Sequence, residues 1–164
     1  MLAVGEVAPE FEAATADGRR LRLSELRGRT VVLYFFPKAG TLGCARESRE
    51  LARRFPELSR VGAEIVGVSV DSVEDLREFA VDCSLPFPLV SDSDKSIARR
   101  YGVLGAFGVA KRVTFLVGVD GRIIQVIDSL LPAAHAGRAA TRLLAAEPEP
   151  EARARPTTDV ESKD

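Results

Sequence analysis

Two continuous apolar runs constrain the fold of this chain, TVVLYFF at residues 30–36 and AEIVGVSV at residues 63–70. The first run is rich in β-branched and aromatic residues, and the second contains four β-branched residues. Neither alternates regularly with polar residues, which indicates strands covered on both faces. From Gly43 to about Leu58 the intervening segment has apolar residues at helical spacing. These three segments predict a strand–helix unit followed by a second buried strand.

The flanking segments continue this alternation. Residues 11–26 contain short alternating stretches around an Asp17-Gly18 turn, which predicts an N-terminal hairpin. After the second strand, Asp71 or Ser72 is the expected N-cap of another helix. The later elements are predicted as a helix at residues 73–83, a strand at 87–92, a helix at 94–103, a hairpin at 112–128 and a helix at 132–147.

This order of elements predicts an α/β fold with a mixed central sheet flanked by helices. It resembles the thioredoxin fold, extended by the N-terminal β-hairpin and an inserted helix unit. In open α/β sheets, ligands bind at the carboxyl ends of the strands. Cys44 follows the end of the first apolar run, so we expect the functional site there.

Composition limits the classes of partner. The chain has 164 residues and a net charge of −1, so no basic surface for nucleic acid is expected. No apolar run approaches the roughly 20 residues of a membrane helix, and the first residues make a poor signal peptide. Two cysteines are too few for a disulfide framework, so we expect a cytoplasmic protein with reduced thiols and no membrane partner.

We expect one folded domain over residues 1–146 and a disordered tail over residues 147–164. The tail holds three of the nine prolines and six acidic against three basic residues, with almost no apolar side chains. Such a composition cannot bury enough apolar surface to fold.

The surroundings of Cys44 favour a reactive thiolate. The thiolate is the nucleophilic form of cysteine, and the first turn of a helix offers unpaired N–H groups and the positive end of the helix dipole. Thr41 can direct its hydroxyl toward the sulfur or toward a bound oxygen. Pro37 lacks an N–H and can wall the pocket.

Arg112 is the predicted cation of this site. The strand that begins at Arg112 is expected to run antiparallel to the first apolar strand, so its start lies near Cys44. A guanidinium stays protonated and offers several donors in a plane. Cys44, Thr41 and Arg112 together favour nucleophilic attack on a polarised oxygen bond, without a histidine base or a set of metal ligands.

The segment FFPKAGTLGCARE, residues 35–47, resembles the active-site segment of peroxiredoxins, Pro-x-x-x-Thr/Ser-x-x-Cys, with Pro37, Thr41 and Cys44 at the motif positions. AKRVTFLVGVDGRI, residues 110–123, is similar to the strand that carries the family's active-site arginine. The stretches at residues 4–26 and 84–92 resemble the bacterioferritin-comigratory (PrxQ) subfamily. The resemblance covers nearly all of residues 1–146.

This resemblance implies a thiol peroxidase. The Cys44 thiolate would attack hydrogen peroxide or an organic hydroperoxide and become a sulfenic acid. Thr41, Arg112 and the N–H groups of Gly43 and Cys44 would stabilise the breaking O–O bond. The resemblance implies that the enzyme needs no cofactor and that thioredoxin, glutaredoxin or a small thiol is its reductant. We expect a monomer or weak homodimer.

Several residues keep two interpretations. Many PrxQ proteins have a resolving cysteine five residues after the first, where this chain has Arg49. Cys83 is therefore either the resolving cysteine or a buried inert thiol, and in the second case an external thiol reduces Cys44 in a one-cysteine cycle. Glu47 either orients the arginine or is an ordinary exposed helix residue.

Phe107 is predicted to line the substrate entrance. Phe36 either packs against the active-site loop or is simply a core residue. His135 is the only histidine; it lies in the C-terminal helix, far in sequence from the pocket, and we expect it to have a structural role.

Two other functions use the same cysteine. A peroxide sensor would form the sulfenic acid without sustained turnover, and only kinetics separates it from a peroxidase. A disulfide oxidoreductase is disfavoured because Cys44 is not part of a C-x-x-C motif.

Overall fold

Five strands form the central sheet in a computed structural model that describes residues 1–145. The strand order is β5-β4-β3-β6-β7, with β3, β4 and β5 parallel to one another and β6 antiparallel to both β3 and β7. The predicted disordered tail, residues 147–164, lies outside the described residues. The five strands are β3 Thr30–Phe35, β4 Ala63–Ser69, β5 Leu89–Ser91, β6 Val113–Val117 and β7 Ile123–Asp128.

Four α-helices cover the two faces of this sheet: α1 Leu42–Arg60, α2 Val73–Asp82, α3 Ser96–Tyr101 and α4 Pro132–Ala145. Side chains of β3 alternate between the faces, as its continuous apolar run predicts. Tyr34 and Phe36 pack in a cluster with residues of α1, α2 and α4. Leu33 and Phe35 pack on the other side, in a cluster that includes residues of α3. The mixed α/β prediction is confirmed.

The N-terminal hairpin consists of β1 Glu12–Ala14 and β2 Arg20–Arg22, which pair antiparallel. It leads into a single 3₁₀ turn at Leu23–Leu26. The hairpin docks on the edge of the central sheet, where the N–H of Ala16 donates to the carbonyl of Leu89 at 2.8 Å. Because an open strand edge invites aggregation, this contact protects the β5 edge. The predicted hairpin is confirmed.

No helix in the described residues combines the length and apolar character that crossing a bilayer requires. Likewise, residues 1–145 contain no group of three or more His, Cys, Asp or Glu side chains arranged to hold a metal ion.

The strand β4 has a glycine where the fold needs space. Gly67 is paired in register with Tyr34, and a Cβ added to Gly67 would lie 2.9 Å from the Tyr34 ring and 2.6 Å from Leu89 Cδ2. Both neighbours are fully buried or nearly so. A side chain at position 67 would therefore push the Tyr34 ring toward α1.

We expect Gly67→Ala to lower the free energy of unfolding by about 1–3 kcal/mol, because overpacking a filled core strains its neighbours. Urea unfolding followed by circular dichroism measures this loss. The matched control is Gly137→Ala in α4, where an added Cβ meets nothing within 4 Å. That variant should be neutral or slightly stabilised, and equal losses in the two variants would contradict the explanation.

Candidate active site

The loop between β3 and α1 is built by a turn and a helix cap. Gly40 has φ +85°, a left-handed conformation that glycine adopts without steric cost. Thr41 is the N-cap residue of α1, and its hydroxyl donates to the carbonyl of Lys38 at 2.9 Å. The hydroxyl proton is therefore committed to the loop, and the lone pairs of the oxygen remain available to accept. Pro37 precedes this turn and is half-buried.

Asp71 ties the same loop to the end of β4. Its carboxylate Oδ2 accepts from the N–H of Ala39 at 2.7 Å and from the hydroxyl of Ser69, and Lys38 Nζ lies 3.4 Å from Oδ1. Asp71 is buried, so these bonds replace its lost hydration. The sequence left Asp71 and Ser72 as alternative helix caps. Ser72 is the cap, since its side chain accepts from the N–H of Asp75.

Cys44 is the third residue of α1 and is completely buried. Arg112 Nη2 lies 3.6 Å from Cys44 Sγ and donates to it. Sheet register explains this contact: Phe35 of β3 pairs with Val113 of β6, so Arg112 stands beside the end of β3. This is the antiparallel neighbourhood that the sequence predicts.

Gly43 provides the space for the guanidinium. A Cβ at this position would lie 3.1 Å from Arg112 Nη2 and 3.8 Å from Pro132 Cγ. The first residues of α1 thus meet both the arginine and the start of α4. Any side chain at position 43 would compete with the guanidinium for this volume.

Glu47, one turn after Cys44, holds the other end of the guanidinium. Arg112 Nη1 donates to Glu47 Oε1 at 2.6 Å, and the Glu47 side chain has no exposed area. The alternative of an ordinary exposed helix residue is therefore wrong. Burial raises the pKa of Glu47 to about 8, against the opposing effect of Arg112. No donor among the described residues bonds to Oε2.

His135 lies behind Glu47, although the two residues are far apart in the sequence. Its Nδ1 is 3.5 Å from Glu47 Oε2 and 2.8 Å from the hydroxyl oxygen of Thr114, while Nε2 is 2.8 Å from the carbonyl of Ser129. Burial lowers the pKa of His135. The two residues meet because the face of α4 that packs on α1 carries His135.

Three other predicted residues lie in different surroundings. Cys83 caps the end of α2 as a buried free thiol and belongs to the same apolar cluster as Cys44. Phe36 is a core residue that stacks on Tyr34, in the cluster that also contains Cys44. Phe107 is fully exposed in the 3₁₀ turn Ala106–Gly108.

Sequence reasoning missed Asp71 as the anchor of the loop and His135 as a neighbour of Glu47. A signal for Asp71 exists, because it follows the carboxyl end of β4, next to the carboxyl end of β3. His135 has no comparable local signal. The arrangement as a whole is suited to stabilise an anionic sulfur, with a helix N-terminus on one side and a guanidinium on the other.

Comparisons with known proteins identify one family. The family described as AhpC/TSA matches residues 4–126. Peroxiredoxin Bcp of Escherichia coli K12 is 33% identical over 141 residues, 82% of this chain and 90% of that protein. Peroxidoxin BcpB of Mycobacterium tuberculosis superposes with a TM-score of 0.84 at 34% identity, covering 89% of this chain and 99% of that one.

A third similar protein is the bacterioferritin comigratory protein of Xanthomonas campestris, whose structural study addresses its alkyl peroxide reduction activity. It superposes with a TM-score of 0.78 at 31% identity, covering 82% of this chain and 90% of that one.

We expect Gly43→Ala to slow alkylation of Cys44 by iodoacetamide about fivefold at neutral pH. The added methyl displaces Arg112 Nη2, and a loss of about 1 kcal/mol of charge stabilisation has this effect on rate. The free energy of unfolding should stay unchanged or rise slightly, because alanine favours helix. Gly137→Ala is the control, and an unchanged alkylation rate in Gly43→Ala would contradict the role of this glycine.

Proposed function

The chain belongs to the AhpC/TSA family and is a thiol peroxidase of the Bcp/PrxQ type, and we propose that Cys44 is the residue that reacts with hydroperoxides. The observation that supports this assignment is the 3.6 Å contact between Arg112 Nη2 and Cys44 Sγ at the start of α1. A fixed cation and a helix N-terminus both favour the thiolate over the thiol. Cys83, the other cysteine, stands at the end of a helix and lacks this arrangement.

In the proposed reaction the Cys44 thiolate attacks the terminal oxygen of a hydroperoxide, R–O–O–H. The S–O bond forms as the O–O bond breaks, and the electron pair of that bond leaves with the alkoxide. The products are Cys44 sulfenic acid and, after protonation, an alcohol, or water when the substrate is hydrogen peroxide. Arg112 is within reach of the sulfur and is the group that stabilises the negative charge as it moves toward the leaving oxygen.

Neighbouring groups have proposed roles in positioning the substrate. The Thr41 hydroxyl donates a hydrogen bond to the backbone carbonyl of Lys38, so its oxygen is free to accept a hydrogen bond from the O–H of the peroxide. The N–H groups of Gly43 and Cys44 belong to the first turn of α1, where backbone donors lack intrahelical partners. Pro37 contributes an apolar wall without a competing donor. Phe107 keeps its predicted place at the entrance only as a proposal, since it is fully exposed.

We further propose that Cys83 resolves the sulfenic acid. Its thiol displaces water from Cys44 sulfenic acid, which forms a Cys44–Cys83 disulfide. Both sulfurs belong to one apolar cluster, and each lies at a helix terminus, Cys44 in the first turn of α1 and Cys83 after the last turn of α2. Helix ends unwind at lower cost than helix centres. A thioredoxin-type protein, glutaredoxin or a small thiol then reduces the disulfide.

The remaining proposals concern context. Residues 1–146 form the peroxidase domain, and the protein acts as a monomer or weak homodimer. It works in a reducing compartment such as the cytoplasm, consistent with two cysteines that are both free thiols.

Cys44→Ser should reduce peroxide turnover to background in an assay with a thiol reductant, because serine cannot form the sulfenic acid.

Arg112→Met should lower the rate constant for peroxide by about 10²–10³-fold, as expected for loss of a preorganised charge at the reacting atoms. The control is Arg53→Met, which removes an exposed arginine of α1 that pairs only with Glu50 among the described residues. Activity retained in Cys44→Ser would refute the proposal.

One equivalent of hydrogen peroxide should convert the reduced protein into a form whose mass and peptide map show a Cys44–Cys83 disulfide. In Cys83→Ser the same treatment should leave a sulfenic acid at Cys44 that dimedone traps. If the unmodified protein instead gives the trapped sulfenic acid with a free Cys83 thiol, the cycle uses one cysteine. That outcome would overturn the resolving role of Cys83 and leave the role of Cys44 intact.

A further inference from the structure

A buried chain of polar groups extends from Cys44 to the last helix. Arg112 bonds to both Cys44 and Glu47, and the second carboxyl oxygen of Glu47 faces Nδ1 of His135 at 3.5 Å. Both Glu47 and His135 have no exposed area. The proposed peroxidase reaction uses Cys44 and Arg112 and gives no role to the carboxyl–imidazole pair behind them.

The bonds of His135 define which ring nitrogen faces Glu47 and in what state. The carbonyl of Ser129 only accepts, so Nε2 carries a proton and donates to it at 2.8 Å. In the neutral ring, Nδ1 is therefore an acceptor. The Thr114 hydroxyl lies 2.8 Å from Nδ1 and is able to donate to it or accept from it.

The two carboxyl oxygens of Glu47 differ in their hydrogen bonds, and this difference indicates the protonation state of the group. Oε1 accepts from Arg112 at 2.6 Å, whereas Oε2 has no donor among the described residues. A buried carboxylate normally has donors on both oxygens, since an unpaired buried charge is costly. A carboxylic acid fits this arrangement better, with Oε1 as the carbonyl oxygen and Oε2 carrying a proton toward Nδ1.

The charge of Arg112 gives this proton a functional consequence. An ionised Glu47 would neutralise the guanidinium and leave the Cys44 thiolate as an uncompensated buried charge. With one proton on the pair, the positive charge of Arg112 balances the thiolate, and the buried site is neutral overall. The same balance results whether the proton resides on Glu47 Oε2 or on His135 Nδ1.

We propose that Glu47 and His135 share one proton in the reduced enzyme, so that the charge of Arg112 acts on Cys44. His135 is thus a positioning residue that acts through Glu47. This inference rests on the proposed function of Cys44. Burial raises the pKa of Glu47 to about 8 and lowers the pKa of His135, which favours a proton on the glutamate side at neutral pH.

Other charged groups around the pair act in both directions. Arg112 from the β6 side and Arg138 of α4 disfavour a positive charge on His135, and Asp128 of β7 favours it. On the side of α1, ionisation of Cys44 favours retention of the proton, and the hydroxyl of Tyr34 on β3 stays neutral because burial raises its pKa. With two arginines against one aspartate, the imidazolium form is the weaker alternative.

The test is a double-mutant cycle on the pH dependence of Cys44 alkylation, a readout that needs no peroxidase turnover. In His135→Asn, the amide donates to Oε2 and favours the carboxylate, so we expect the alkylation rate at neutral pH to fall about tenfold. In the Glu47→Gln background, where no proton can be lost, adding His135→Asn should cause no further change. An equal loss in both backgrounds, or no loss in either, overturns the proposal.

Peroxide kinetics and spectroscopy give independent outcomes. The second-order rate constant for peroxide should decline as pH rises through about 8 in the unmodified enzyme, because the pair loses its proton and Glu47 then competes for Arg112. This decline should be absent in Glu47→Gln. Because His135 is the only histidine, every histidine ¹⁵N signal belongs to it and reports how many of its ring nitrogens carry a proton.

At neutral pH, the reduced protein should have either an infrared band of a protonated carboxyl that Glu47→Gln removes, or a doubly protonated His135 ring. Finding neither would refute the shared proton. Peroxidase activity that does not depend on Cys44 would instead refute the proposed function, so the two failures are distinguishable.

Discussion

One guanidinium group holds this site together. Arg112 bonds to Glu47 through Nη1 and to Cys44 through Nη2, and its side chain is only 11% exposed. Three separate parts of the fold must agree for this to happen. The β3–β6 register brings Arg112 to the end of β3, α1 begins so that Cys44 and Glu47 share one face, and Gly43 leaves room between them. A shift of one residue in that register would turn Arg112 to the opposite face of the sheet.

Several polar groups are buried around Arg112, and burying them lowers the stability of the fold. Tyr34 bonds to Ser48 at 2.9 Å, and Thr114 bonds to His135, all within the layer between the sheet and helices α1 and α4. Removing one partner of a buried ion pair typically costs about 3–5 kcal/mol, whereas apolar replacement of the whole pair is often neutral. Stability alone therefore does not explain the Glu47–Arg112 pair, and its contact with the sulfur does.

The sequence was sufficient to predict the fold and the first contacts of Cys44, because those depend on local patterns and chain order. Apolar periodicity predicts β3 and α1, and the antiparallel direction of β6 places Arg112 beside Cys44. The sequence leaves two interpretations of Glu47, because one turn of helix does not reveal what packs over it. The contact of His135 with Glu47 is not predictable from the sequence for the same reason: it depends on how α4 packs against α1, a contact between segments far apart in the chain. Asp71 accepts a hydrogen bond from the N–H of Ala39, which lies 32 residues earlier in the chain, so its role in that loop also depends on packing between distant segments.

In the proposed cycle, the burial of Cys44 sets two requirements that oppose each other. Reaction with peroxide needs the intact first turn of α1, because that turn holds the sulfur beside Arg112. A bond to any second sulfur needs the same turn to open, since two cysteines join only when their Cα atoms come within about 7 Å and their sulfurs meet. The opening breaks the Arg112–Cys44 contact, so the reactive and disulfide-forming arrangements exclude each other. Asp71 anchors the loop at Ala39, which confines the opening to the residues between that anchor and the body of α1. In that cycle, the stability of this single turn therefore controls the order of the two proposed chemical steps.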